Sequence, residues 1–142
     1  MEKLSSSLED YLETIYNEVR KNGFAKVTDI SKILNVKKAS VTGALNSLTA
    51  KKLINYAPYS AITLTAQGEK LAKEIFKRHE TMADFFSKLL HLPPEEAALN
   101  ACKMEHIMSE EMFSRISKFS EFIQRYSAEN KDFGKKIKEL YN

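Results

Sequence analysis

Between residues 28 and 65 the apolar spacing leaves few folds open. Ile30, Ile33 and Leu34 recur at helical intervals, with Thr28 as the N-cap. Asn35-Val36-Lys37 then interrupts the period, and Val41, Leu45 and Leu48 resume it through residues 39–52. Two short helices joined by a turn of about three residues form a helix-turn-helix. The pattern then changes to two β-prone runs, Leu53-Ile54-Asn55-Tyr56 and Ala61-Ile62-Thr63-Leu64-Thr65, with Pro58-Tyr59-Ser60 as the turn between them. A hairpin placed after the second helix is a wing, so residues 1–65 read as a winged helix.

The flanking segments extend this reading. Leu8, Tyr11, Leu12, Ile15, Tyr16 and Val19 fall on one face of a helix over residues 7–21. Ser6 and Glu9 have the spacing of a capping box at its start, and Asn22-Gly23 ends it. Residues 66–90 predict one long helix with Leu71, Ile75, His79, Met82 and Phe86 along a stripe, ended by His91-Leu92-Pro93-Pro94. Further helices are expected at residues 95–108, 110–126 and 133–141. The fold class is therefore mainly α. The expected domains are a winged helix-turn-helix at 1–74 and a helical domain at 75–142.

Charge is unevenly distributed. Residues 1–19 carry one Lys and five acids, whereas residues 20–55 carry eight Lys or Arg against the single acid Asp29. Positive charge focused on the helix-turn-helix is what a nucleic-acid surface requires, although a solvated Lys-rich face has the same composition. No apolar run is long enough to span a bilayer, and Met1-Glu2-Lys3-Leu4 has no signal-peptide character. A single cysteine cannot form an internal disulfide, so a reducing, cytoplasmic setting is expected.

That cysteine lies in a five-residue cluster. Cys102, Glu105 and His106 form C-x-x-E-H, and the spacing i, i+3, i+4 puts a thiol, a carboxylate and an imidazole on one helical face. These are three metal-ligand types. Singly, each has a plainer explanation. Cys102 would be a small buried hydrophobe, His79 a core histidine, Asp10 a first-turn acid favoured by the helix dipole, and Glu13 a solvated residue. Together, so many polar groups are costly to bury without a shared partner.

The order of these motifs resembles the diphtheria-toxin-repressor family of metal-dependent transcriptional repressors. Asp10-Tyr11-Leu12-Glu13, the helix-turn-helix, Arg78-His79 and Cys102-Lys103-Met104-Glu105-His106 carry the resemblance, which covers essentially the whole chain. It implies an N-terminal winged helix-turn-helix, then an α-helical metal-binding and dimerisation domain. The chain stops at Asn142, so no C-terminal SH3-like domain is expected, as in the short branch typified by the manganese transport regulator. The resemblance further implies that metal binds between the first helix and the dimerisation domain, and so fixes the geometry for DNA. It assigns Asp10, Cys102, Glu105 and His106 to one ion and Glu13 and His79 to a second. Glu105 bridges them, and Cys102 is a candidate second bridge.

The donor set is a hybrid. The iron-responsive branch usually has Met at the position of Asp10 and Cys at that of Cys102, whereas the manganese branch usually has Glu at the latter. Ala83 and Ala98 lack donors, which argues against the iron branch's auxiliary site. The expected cofactor is Mn²⁺ or Fe²⁺, up to two ions per subunit, with Zn²⁺ or Co²⁺ as surrogates.

On the recognition helix, Lys37, Lys38 and Ser40 are expected at phosphates and Thr42 and Asn46 at base edges, with Gly43 and Ala44 permitting close approach. Tyr59 and Ser60 at the wing tip would touch the DNA backbone. The expected partners are double-stranded DNA carrying a pseudo-palindromic operator, and a second copy of the chain. The dimer surface is expected at Phe85, Phe86, Leu89, Leu90 and the stripe over residues 112–122. The resulting function is a repressor of metal-uptake genes. The alternative is a winged-helix repressor sensing an organic ligand, which does not need the ligand residues to coincide. A redox sensor would need a resolving cysteine, and an enzyme would need a nucleophile or phosphate motif; the chain has neither.

Overall fold

A computed structural model describes residues 3–142. The chain divides into two compact units, one ending at Phe76 and the other running from Lys77 to Asn142.

In the first unit, α1 (Ser6–Asn22) opens on Ser5, whose Oγ accepts from the Leu8 amide at 3.2 Å. The cap is thus Ser5 and not Ser6. Gly23 ends α1 at φ 84°, a left-handed value suited to glycine. Helix α2 (Val27–Leu34) is capped by Lys26 without a side-chain hydrogen bond, two residues ahead of the expected cap Thr28. Asn35, at φ 53°, turns the chain into α3 (Lys38–Ala50). Strands β1 (Ile54–Asn55) and β2 (Thr63–Leu64) pair antiparallel with Ile54 opposite Leu64, which makes the wing. Ala25 and Ile62 exchange backbone hydrogen bonds of 2.8 and 2.9 Å, adding a third short rung to the hairpin.

Leu12, Ile15, Ile30, Val41, Leu45, Leu48, Leu53 and Ile62 form the centre of the first core. Ile33 is 55% exposed rather than inward, and Ala44 packs into the core rather than facing outward. Arg20 lies over the rings of Tyr16 and Phe76, 5.3 and 5.2 Å from their centroids.

Thr65 fastens the start of α4 (Ala66–Asp84). Its amide donates to the Leu53 carbonyl at 3.1 Å, and its hydroxyl donates to the Lys52 carbonyl at 2.8 Å while accepting from the Gly68 amide at 3.0 Å. The unit boundary falls inside α4. The α-helix ends at Asp84, and one turn of π-helix (Phe85–Leu89) replaces the expected continuation to residue 90.

In the second unit follow α5 (Pro94–Met104), α6 (Glu110–Glu129) and α7 (Lys131–Glu139). Helix α5 ends four residues before the expected position. Met82, Phe86, Ala97, Ala101 and Met108 make the second core, with Phe85, Leu90, Phe113 and Ile116 packed against it. Phe86 and Leu89 are buried here, so they are not part of an open surface. Met112, Phe119 and Phe122 remain exposed on α6. Among the described residues the only strands are those of the wing, and no SH3-like barrel is present.

Candidate functional site

Cys102 sits in the last turn of α5, Glu105 is its C-cap and His106 lies in the turn beyond. The cluster therefore straddles a helix end instead of lying on one helix. Glu105 keeps helical angles (φ −57°, ψ −32°), and its amide still donates to the Ala101 carbonyl. Cys102 and Glu105 thus remain one turn apart, as the spacing requires. One donor atom from each of Cys102, Glu105 and His106 lies within 4.8 Å of the others.

The carboxylate is the centre of this group. Glu105 is 1% exposed, and both its oxygens are buried without a well-aligned hydrogen bond among the described residues. His79 Nδ1 stands 3.2 Å from Oε2, and His106 Nε2 stands 3.5 Å from Oε1. These are close contacts, and neither Glu105 oxygen forms a hydrogen bond through them. A buried carboxylate flanked by two imidazoles and a thiol is costly as apolar core and suited to a divalent cation. The donor set therefore fits a metal ion.

His79 comes from α4, where Arg78 beside it lies 5.8 Å over the Phe113 ring. Asp10 and Glu13 belong to the first unit, one turn apart on α1 and half-buried rather than on its solvated side. Glu9, beside them, is buried as well. Sequence reasoning assigned Glu9 to a cap, although a third acid in the same turn was a visible signal.

The expected DNA contacts all lie in the first unit. Lys37, Lys38 and Ser40 are exposed at the start of α3. Thr42 is half-buried with its hydroxyl donating to the Lys38 carbonyl at 3.1 Å, which leaves its oxygen as an acceptor. Asn46, one turn on, is exposed, and so is Gly43. Tyr59 and Ser60 are exposed at the wing tip, Tyr59 at φ 65°.

Residues 3–62 match the iron-dependent repressor N-terminal DNA-binding domain, and residues 65–134 match the iron-dependent repressor metal-binding and dimerisation domain. The chain belongs to the iron-dependent repressor family. Iron-dependent repressors are DNA-binding transcriptional regulators, not enzymes. An uncharacterised helix-turn-helix transcriptional regulator of Methanocaldococcus jannaschii is 40% identical over 83% of this chain and 95% of its own length. The transcriptional regulator MntR of Bacillus subtilis is 30% identical over 89% of this chain and 88% of its own. Among solved structures, IdeR of T. acidophilum has a TM-score of 0.71 at 29% identity, covering 89% of this chain and 56% of that one. The manganese regulator SloR has a TM-score of 0.69 over 83% of this chain and 54% of that one, and its 23% identity shows the fold alone. The chain thus spans little more than half the length of these two solved relatives.

Proposed function

We infer that this iron-dependent repressor is a metal-responsive, DNA-binding homodimer that represses metal-uptake genes in the cytoplasm. Residues 1–74 serve as the DNA-binding domain and residues 75–142 as the metal-binding and dimerisation domain. The observation that carries the reading is the buried Glu105 carboxylate, without a well-aligned hydrogen bond and flanked by His79, His106 and Cys102.

Asp10, Cys102, Glu105 and His106 hold one ion. Glu13 and His79 would hold a second, with Glu105 shared between the two sets. A bound dication supplies the positive charge that lets these carboxylates approach one another. Without it, Asp10, Glu13 and Glu105 repel. Ligands from α1 and from the helical domain thereby restrain the orientation in which two copies of α3 meet a pseudo-palindromic operator. Lys37, Lys38, Ser40 and the wing position the protein, while Thr42 and Asn46 read bases.

The effector is Mn²⁺ or Fe²⁺. Carboxylates suit both, and the Cys102 thiolate favours Fe²⁺, with Co²⁺ and Zn²⁺ as surrogates. Titrating metal-stripped protein with Mn²⁺, anaerobic Fe²⁺ and Zn²⁺ tests the reading, with affinity for the duplex upstream of its own gene as the readout. Affinity should rise by roughly 5- to 150-fold with the effector, the usual range of such coupling. DNA affinity that ignores metal would replace this reading with the organic-ligand repressor.

Cobalt gives a separate check on Cys102. Co²⁺ should produce a near-ultraviolet thiolate-to-metal charge-transfer band, absent in Cys102→Ser. An unchanged spectrum in that variant would remove Cys102 from the ligand set.

A further inference from the structure

We propose that Arg20 is a positioning residue for the second metal ion, holding α1 against α4 so that Glu13 and His79 reach one cation. This deepens the metal-responsive reading above and rests on it. Arg20 stands in the last turn of α1, one turn after Tyr16, so the two side chains share a helical face. Its guanidinium carbon lies 5.3 Å from the Tyr16 ring centroid and 5.2 Å from that of Phe76. The rings themselves meet at 5.8 Å with 58° between their planes. Tyr16 is buried in the first core, and Phe76, on α4, packs against that core. One cation thus joins a ring from each helix, all within the first unit.

The plain use of an arginine here is to complement the dipole at the end of α1. Lys21, in the same turn, already offers that charge. A dipole asks only for a nearby cation, whereas a planar guanidinium seated on two rings fixes a geometry. Among the described residues no carboxylate pairs with Arg20, so the rings are its partners. The register then connects the clamp to the metal. Glu13 precedes Tyr16 by three residues on α1, and His79 follows Phe76 by three on α4. Each proposed ligand of the second ion is about one helical turn from a clamped ring. The first ion depends on it less, because Cys102, Glu105 and His106 come from the end of α5.

The experiment is a calorimetric Mn²⁺ titration of metal-stripped wild type, Arg20→Ala, Arg20→Lys, His79→Ala and the Arg20→Ala/His79→Ala double variant. Arg20→Ala should weaken the second binding step about tenfold, as loss of cation contacts with two rings implies, and leave the first within about twofold. Arg20→Lys should recover part of the loss, to about threefold, because it keeps the charge without the plane. On the His79→Ala background Arg20→Ala should cost nothing further, a result that a merely structural role would not give. The Co²⁺ band that reports the Cys102 thiolate should keep its intensity in Arg20→Ala. Superimposable titrations of Arg20→Ala and wild type, equal weakening of both steps, or a further loss on the His79→Ala background would each overturn the proposal. A wild type that takes up one ion or none would overturn the two-ion reading, and this inference with it.

Discussion

Glu105→Gln should leave the protein folded while its metal response disappears. The substitution conserves shape and removes the charge from a side chain that is 1% exposed. Neither carboxylate oxygen makes a well-aligned hydrogen bond among the described residues, so no strong native bond is lost. A buried carboxylate that lacks good hydrogen bonds is a cost to the empty fold, and a neutral amide lowers that cost. The metal-stripped variant should therefore melt no lower than metal-stripped wild type.

Metal binding should move the opposite way. Glu105 lies against His79 and His106 and within donor reach of Cys102, so it belongs to both proposed ion positions. Loss of this shared ligand should raise the metal Kd at least about 100-fold, or about 2.8 kcal/mol. Wild type at metal concentrations of about 100 Kd should gain about 2.7 kcal/mol of stability, and the variant should gain almost none at the same concentration. Metal-stimulated DNA binding should be lost in parallel. Calorimetric titration and thermal melting of both proteins, stripped and loaded, check this. A variant that melts lower when stripped yet binds metal as wild type does would make Glu105 a structural carboxylate.

What could be read in advance depended on the range of the interaction. The helix-turn-helix was legible because Ile30, Val41, Leu45 and Leu48 are placed by local period, and all four are fully buried. Cys102, Glu105 and His106 were legible as neighbours because helical spacing alone brings i, i+3 and i+4 together. The approach of His79 to Glu105 was not, since packing within the second unit sets it. Ile33 was misread because α2 has only eight residues, and its apolar arc is wider than the surface it covers.

Helix ends were less legible for a different reason. Ser5, Ser6 and Ser7 are chemically equivalent caps, and the selection of Ser5 is made by where the chain enters the core at Leu4. Glu105 has helical angles although the helix has ended, so composition alone could not set the end of α5. The Ala25–Ile62 rung joins residues far apart in sequence, and no local pattern announces it.

Gly68→Ala should be among the most damaging single substitutions in the first unit, although it replaces a helical glycine with the best helix former. In an unobstructed helix that exchange is worth about 1 kcal/mol in favour of alanine. Here a Cβ on Gly68 would stand 1.8 Å from the Leu53 carbonyl oxygen and 2.7 Å from its carbon. Both are backbone atoms, so no rotamer change relieves the clash. The same oxygen accepts from the Thr65 amide, and the Thr65 hydroxyl bonds both Lys52 and Gly68, so the start of α4 cannot slide without breaking that set. The net cost should be about 3 kcal/mol, which lowers Tm by roughly 10 °C in a chain of this size. Gly43 in α3 supplies the opposite sign: a Cβ there meets nothing within 4 Å, so Gly43→Ala should raise Tm by a few degrees. Thermal melts of the two variants beside wild type check both signs. A Gly68→Ala protein as stable as wild type would show that α4 does not pack closely on the Leu53 backbone, and the anchoring of α4 to the wing would fail with it.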